Sequence, residues 1–308
     1  MFLPGSRPVA QNTSTQPALS WNIVGRGAIG LLAASRLQLA GYKPGLWLHQ
    51  PAIVDIQFQQ QPLQFLSATP PLQAVLIPVK SYAVFDAVKT LQPFLTEDAQ
   101  LVLSHNGMGT IPEVLPLLLP TQGLWFLTTT HGALKQQDAI LHTGNGHSVL
   151  APLNAAASRH TTAVAQAMDI ALGPLAVAAD IEPFLWQKLA INAVINPLTA
   201  LHNCKNGALA QPQYQQQIKA ILHEVCQVAT AAGYPLQPAL VQQNVMQVIE
   251  RTAENFSSMQ QDVVHQRRTE TNAISGFIVA QAARFNIAVP HNSQLQQQLL
   301  QLQQRYCR

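Results

Sequence analysis

From Trp21 to about Ala179, short apolar runs alternate with stretches whose apolar residues recur at helical spacing, the pattern of a parallel sheet covered by helices. The runs predict strands at Trp21–Val24, 46–48, 74–79, 101–104 and 124–129, with one further strand at 175–178. A hairpin is predicted across 140–150, turning at Gly144-Asn145-Gly146, because these residues accept the backbone conformations of tight turns. From Asp180 onward the apolar residues keep helical spacing through nearly every segment. Asp180 is placed to cap a helix that has Pro183 in its first turn and carries Phe184, Leu185, Leu189, Val194 and Ile195. Pro197, which lacks an amide hydrogen, is expected to kink or end the first section of that helix. Further helices are predicted at 212–232, 238–255, 257–265, 270–285 and 293–306, with Gly233 and Asn286 as helix stops. The pattern therefore predicts a doubly wound α/β domain at 21–179 followed by an all-α domain at 180–308.

Two segments fall outside this scheme. Residues 1–20 are rich in Pro, Ser, Thr and Gln and lack the continuous apolar stretch of a secretory signal, so they read as a disordered extension. The Gln-rich tail keeps Leu295, Leu299, Leu300 and Leu302 at spacing that favours a packed helix over a disordered tract.

A length of 308 residues with 48% hydrophobic content supports two well-filled cores. The 17 basic and 14 acidic residues leave a formal charge of +3, too near balance for a nucleic-acid footprint despite a sequence pI near 8.8. Charged residues make up 10% of the chain, so amide side chains carry much of its surface polarity. Cys204, Cys226 and Cys307 are odd in number, widely spaced and in no Cys-x-x-Cys pair, which suggests neither a disulfide framework nor a metal site and fits a reducing cytoplasm. No apolar run approaches the ~20 residues of a membrane-spanning helix. A soluble protein acting on a small molecule, without membrane or nucleic-acid partners, is the expectation.

Candidate chemistry begins where Trp21-Asn22-Ile23-Val24 runs into Gly25-Arg26-Gly27-Ala28-Ile29-Gly30 and then an apolar helix stopping at Gly41. In a dinucleotide fold the first glycine allows the turn, the second admits the pyrophosphate, and the third lets helix and strand pack closely. Amides at the helix start then hold the anion. A GxGxxG is weak evidence alone, but its place between strand and helix points to nucleotide binding. The second strand ends at Leu48-His49-Gln50, with no carboxylate to select NAD, so NADP is favoured. Two readings of His49 stand at this point: a weaker substitute for an arginine at the 2′-phosphate, or a surface histidine without a role.

The second candidate is Lys188, Asn192 and Asn196, at i, i+4 and i+8 on one helix face. A solvated polar face would be the bland account. The flanking residues are almost wholly apolar, which instead expects this stripe to face a polar cleft between the domains.

Several further stretches accompany these two: His105-Asn106-Gly107-Met108-Gly109-Thr110, Thr128-Thr129-Thr130-His131, and Glu254-Asn255-Phe256-Ser257-Ser258-Met259-Gln260-Gln261-Asp262 with Arg268-Thr269-Glu270. With the glycine loop and the Lys188 segment, in this order, the chain from about Trp21 to Pro290 resembles the ketopantoate reductase family. The resemblance implies a Rossmann domain followed by a helical domain related to that of 6-phosphogluconate dehydrogenase. It implies NADPH-dependent reduction of 2-dehydropantoate to pantoate, a step of pantothenate and coenzyme A biosynthesis, by a monomer or homodimer.

It also implies residue roles. Lys188 matches the proton donor to the ketone, and Glu270 the acid that orders cofactor and substrate. Asn192, Asn196, Asn206 and Ser258 match substrate-binding positions, and Asn106 matches a residue touching both ligands. Lys80 and Ala133 match cofactor contacts. The sequence departs from the family at His49, where an arginine is usual, and at Ala83, where a glutamine is frequent. Both departures bear on cofactor affinity more than on chemistry. Two rival functions remain open: a related dehydrogenase of another 2-oxo or 2-hydroxy acid, and a non-catalytic NADP sensor. For Glu270 a structural ion pair with Arg267 or Arg268 is the alternative.

Overall fold

The computed structural model describes the backbone of residues 7–8 and then residues 19–306, and its chain divides into two units. The first comprises residues 1–105 and 110–181, the second residues 106–109 and 182–308.

In the first unit Trp21–Val24 is a strand buried over all four residues, as a central parallel strand must be when helices cover both of its faces. Numbering along the chain, the strands are β1 Arg7–Pro8, β2 Trp21–Val24, β3 Gly45–Trp47, β4 Val54–Phe58, β5 Gln61–Phe65, β6 Leu72–Ile77, β7 Leu95–Leu103, β8 Gly123–Thr129, β9 Gly132–Gln136, β10 Ala139–Gly144, β11 Ser148–Pro152 and β12 Leu175–Val177. The helices of this unit are α1 Ala28–Leu39, α2 Val84–Leu91, α3 Ile111–Val114, α4 Ala155–Ser158 and α5 Thr161–Leu172.

The main sheet runs β1-β12-β11-β8-β7-β6-β2-β3. Strands β3, β2, β6, β7 and β8 are parallel, β11 runs antiparallel to β8, and Ser67 adds a parallel bridge to Leu46 of the edge strand β3. The order reverses at β2, which has β3 on one side and β6 on the other. A doubly wound sheet binds its ligands at the carboxyl end of such a reversal. Most of the segment 1–20, expected to be disordered, lies outside the described residues. Within it, the backbone of Arg7–Pro8 pairs antiparallel with Ala176 and Val177 of β12, where an edge strand offers unpaired polar groups.

A second sheet of order β5-β4-β10-β9 was not anticipated. Ile56, Phe58, Leu63, Phe65 and Ile140 from it join the core built around α1. Its presence corrects the expected hairpin over 140–150, because β10 pairs with β9 whereas β11 pairs with β8 in the main sheet. The two-stranded ribbon actually turns at Gln137-Asp138, and Gly144-Asn145-Gly146 forms a corner where the chain passes from one sheet to the other. At that corner Gly146 packs so closely that an added Cβ would collide with the His131 backbone nitrogen.

The second unit contains α6 Glu182–His202, α7 Pro212–Ala231, α8 Pro238–Arg251, α9 Ser258–Val264, α10 Ser275–Arg284 and α11 Pro290–Gln304. Helix α6 buries most of its length from Leu185 to Ala200 and packs on α7, α8, α9 and α11, as expected of a helix apolar nearly all round. Pro197 does not end it. The helix continues to His202, because dense packing on neighbouring helices outweighs the one hydrogen bond a proline removes. The helix predicted from Glu270 begins later than expected. A 3₁₀ turn, Thr271–Ala273, follows Glu270, Ile274 leaves helical geometry at φ −107° and ψ −89°, and α10 starts at Ser275. Gly233 and Asn286 take positive φ, 91° and 56°, as the helix stops they were read to be.

Candidate active site

The glycine loop follows β2 directly. Gly25 has φ +79° and donates its amide to the Trp47 carbonyl at 2.8 Å, joining the loop to β3. Gly30, the third glycine, sits where an added Cβ would lie 3.0 Å from Pro78 Cγ and 3.1 Å from Ile23 Cγ2, so α1 can lie this close to β2 and β6 only without a side chain there. Helix α1 begins at Ala28 after the N-cap Gly27, with no side-chain cap and no acidic residue in its first turn. Its first amides are thus unmasked for an anion, and the loop fits a dinucleotide pyrophosphate.

The other residues expected at the cofactor are spread over the ends of this unit's strands. His49 is exposed, two residues past β3, and Lys80 lies three residues past β6 at the start of a 3₁₀ turn. Ala133 is on β9, paired with His142, so it belongs to the unanticipated sheet. Arg26 borders a groove of about 720 Å³ that also includes Asp55, Gln64 and Lys135. The Lys135 ammonium, across the same groove, is pushed below its usual value by burial first and by the Arg26 charge second.

In the helical unit Lys188, Asn192 and Asn196 share one face of α6, as the spacing predicts. Burial lowers the Lys188 ammonium from its ordinary value to about 8, against an opposing pull from the Glu270 carboxylate. Glu270 is 4% exposed, and one of its oxygens, Oε2, accepts from Asn106 Nδ2 at 3.3 Å. The segment holding Asn106 is tied to the turn after Glu270, because the Met108 amide donates to the Ala273 carbonyl at 2.9 Å. Gly107 makes this approach possible: it has φ +80°, and a Cβ there would lie 2.4 Å from that same carbonyl. Lys188, Glu270 and Asn106 thus form one electrostatically and hydrogen-bonded group.

The remaining expected residues lie elsewhere in this unit. Asn206 donates its backbone amide to the Asn255 carbonyl at 2.9 Å and its side-chain amide to Thr252 Oγ1 at 2.9 Å. Ser258 is exposed as the first residue of α9. The start of α9 is set by Ser257, whose hydroxyl accepts from the Gln260 amide at 3.0 Å and lies 2.7 Å from the Thr199 hydroxyl of α6. Sequence reasoning overlooked that clamp, although Ser-x-x-Gln is a legible capping pattern. Two buried polar atoms of the expected substrate residues, Asn192 Nδ2 and Asn206 Oδ1, have no hydrogen-bond partner. Each is a buried donor or acceptor that the described residues leave unsatisfied.

A lysine whose proton is held near pH 8 can release it to a developing alkoxide, and a glycine loop at a sheet reversal can seat a pyrophosphate. These features place the chain among the dinucleotide-dependent oxidoreductases. Residues 21–155 match the family model for ketopantoate reductase PanE/ApbA, and residues 180–303 match that for its C-terminal domain. The chain belongs to the ketopantoate reductase family. It is 39% identical over 291 residues to a 2-dehydropantoate 2-reductase of Vibrio cholerae, covering 92% of this chain and 98% of that one. With the enzyme of the same name from Escherichia coli O157:H7 it shares 35% identity over 286 residues, 89% and 91% of the two chains. Among solved structures, a dimeric ketopantoate reductase from Staphylococcus aureus superposes with a TM-score of 0.80 at 23% identity, covering 94% of this chain and all of that one. A D-mandelate dehydrogenase with NADH and anilino(oxo)acetate superposes at 0.84 with 16% identity, covering 93% and 99%, a likeness of fold alone.

Proposed function

We propose that this chain reduces the ketone of 2-dehydropantoate to the secondary alcohol of pantoate, with NADPH as reductant. The carrying observation is Lys188: a single lysine in a largely apolar helix, its proton loosened by burial and its charge balanced by Glu270.

Gly25, Arg26, Gly27, Ala28, Ile29 and Gly30 would hold the cofactor, with His49, Lys80 and Ala133 as further contacts and Asn106 and Glu270 at its reactive end. When bound, NADPH supplies the hydride that reaches C2 of the substrate. Lys188 Nζ donates a hydrogen bond to the ketone oxygen and passes its proton to that oxygen as negative charge develops there. The favourable pairing with Glu270 keeps enough lysine protonated near neutral pH for this to occur. Asn106, by donating to Glu270, holds the carboxylate in place. Asn192, Asn196 and Asn206 orient the substrate's polar groups, and Ser258 binds its carboxylate. In this reading residues 21–179 are the cofactor domain and 180–308 the substrate domain. The protein works in a reducing cytoplasm, as a monomer or homodimer.

The test is NADPH oxidation with 2-dehydropantoate present and absent, and with pyruvate and 2-oxoisovalerate as comparators. Turnover preferring 2-dehydropantoate supports the reading. Equal or better turnover of another 2-oxo acid would assign the chain to a related dehydrogenase, and tight NADPH binding without turnover would make it a sensor.

A further inference from the structure

Helix α11 buries Asn292, Leu295 and Leu299, and the next position on that stripe is Gln303. Periodicity reserves such a place for an apolar residue. Gln294, Gln297, Gln298, Gln301 and Gln304 are exposed, as a polar helix face should be, whereas Gln303 is partly buried and bonded to another segment. Its Oε1 accepts from the Thr269 amide at 2.8 Å and from the Thr269 hydroxyl at 3.0 Å.

Because the Thr269 hydroxyl has one hydrogen, and it goes to Gln303, the 2.7 Å contact between Thr269 Oγ1 and Thr271 Oγ1 must have Thr271 as donor. The chain Thr271 to Thr269 to Gln303 therefore has one direction and leaves the Gln303 oxygen doubly occupied. Thr269 and Thr271 are 5% and 1% exposed, so neither hydroxyl can turn to water instead. Both flank Glu270, whose carbonyl accepts from the Ala273 and Ile274 amides, each at 3.1 Å. The backbone before Glu270 is held by Gln303, and the backbone after it by its own 3₁₀ turn.

We propose that Gln303 is a positioning residue for the reaction: its amide oxygen fixes the backbone from which Glu270 presents its carboxylate to Asn106 and Lys188. This rests on the reading of Glu270 as part of the reacting group. Loss of the acceptor would strand two buried donors on Thr269 and let the Glu270 backbone relax. Displacement of a positioned group by about 1 Å is enough to slow a reaction up to ~10²-fold. With the carboxylate displaced, Lys188 would also lose part of the charge that keeps it protonated.

The test compares Gln303→Leu, Gln303→Glu and the exposed control Gln301→Leu in kcat, its pH profile, NADPH affinity by fluorescence, and thermal melting. Gln303→Leu is expected to lower kcat on the order of 10-fold and to move the alkaline limb to lower pH, with NADPH affinity unchanged. Gln303→Glu, which keeps an oxygen acceptor at the same reach, is expected to restore kcat, and Gln301→Leu to match the parent. Thr269→Val, which keeps shape and deletes the hydroxyl, is the second route if Gln303→Leu does not fold, with the same shift expected. A Gln303→Leu enzyme with parental kcat and pH profile, even with a lowered melting temperature, would overturn the proposal and leave Gln303 a packing residue. Glu270→Gln is measured in parallel: parental behaviour there would overturn the underlying reading of Glu270, whatever Gln303 does.

Discussion

Asn106 Nδ2 donates to Glu270 Oε2 at 3.3 Å across 164 positions of sequence, and this bond couples the loop after β7 to the acid beside Lys188. Asn106→Ala and Glu270→Gln should therefore be non-additive in kcat/KM. A double-mutant cycle is expected to give a coupling of roughly 0.5–3 kcal/mol, the range for residues in one hydrogen-bonded network. Asn106→Ala alone should raise KM for both NADPH and 2-dehydropantoate. Strictly additive losses would show that the bond contributes nothing to the reaction.

In the proposed mechanism the working form of Lys188 is the ammonium, and burial lowers its value to about 8. The rate should fall as pH rises through that value. Lys188→Ala should lower kcat by ~10²–10⁴-fold with little change in NADPH affinity. Stability moves the opposite way. The unfolded chain's lysine titrates near ~10.4, so between about 8 and 10.4 the unfolded state binds more protons and stability rises with pH. Below about 8 the folded state holds the full cost of a buried charge. Lys188→Met should therefore melt higher than the parent at pH 7, and the gap should close above pH ~10.5. A gap that is the same at both ends, measured by thermal denaturation, would contradict a charge-burial origin.

Asn192 Nδ2 is buried without a partner. Such an atom costs a free protein about 1–3 kcal/mol, which a hydrogen-bonding substrate recovers. Asn192→Leu should accordingly raise the melting temperature of the free enzyme while raising KM for 2-dehydropantoate and leaving KM for NADPH unchanged. Unaltered substrate dependence would remove Asn192 from the binding site.

His49 is exposed two residues past β3, and the Leu48-His49-Gln50 segment carries no carboxylate to select NAD. An arginine there is permanently charged and can grip a phosphate with two hydrogen bonds. His49→Arg should raise the NADPH-over-NADH ratio of specificity constants on the order of 10-fold, the equivalent of one charge-assisted hydrogen bond. His49→Gln should lower it. If neither substitution alters the ratio, Lys80, Arg26 or backbone groups carry the discrimination.

Much of the scaffold was legible because local period reports which face of an element is buried. The run Trp21–Val24, the GxGxxG that follows it and the stop at Gly41 read as strand, loop and helix, and so they fold. The Lys188, Asn192 and Asn196 stripe followed from helical spacing alone. The second sheet was not found, although Val54, Ile56 and Phe58, then Leu63 and Phe65, alternate as strands should. Its hairpin turns at Gln59-Gln60, both at positive φ, without the glycine or asparagine that usually marks such a turn. Conversely, Gly144-Asn145-Gly146 advertised a turn and serves as a corner between sheets.

The sequence by itself determined which residues form strands and helices and which of their faces turn inward, because those properties depend on neighbours a few positions away. It determined nothing about which element meets that inward face. The pairing of Asn106 with Glu270, the grip of Gln303 on Thr269 and the lowered proton affinity of Lys188 were decided only by tertiary structure. Each arises from groups brought together over tens to hundreds of positions, where hydrogen-bond geometry and the exclusion of water, which no local period encodes, set the energies.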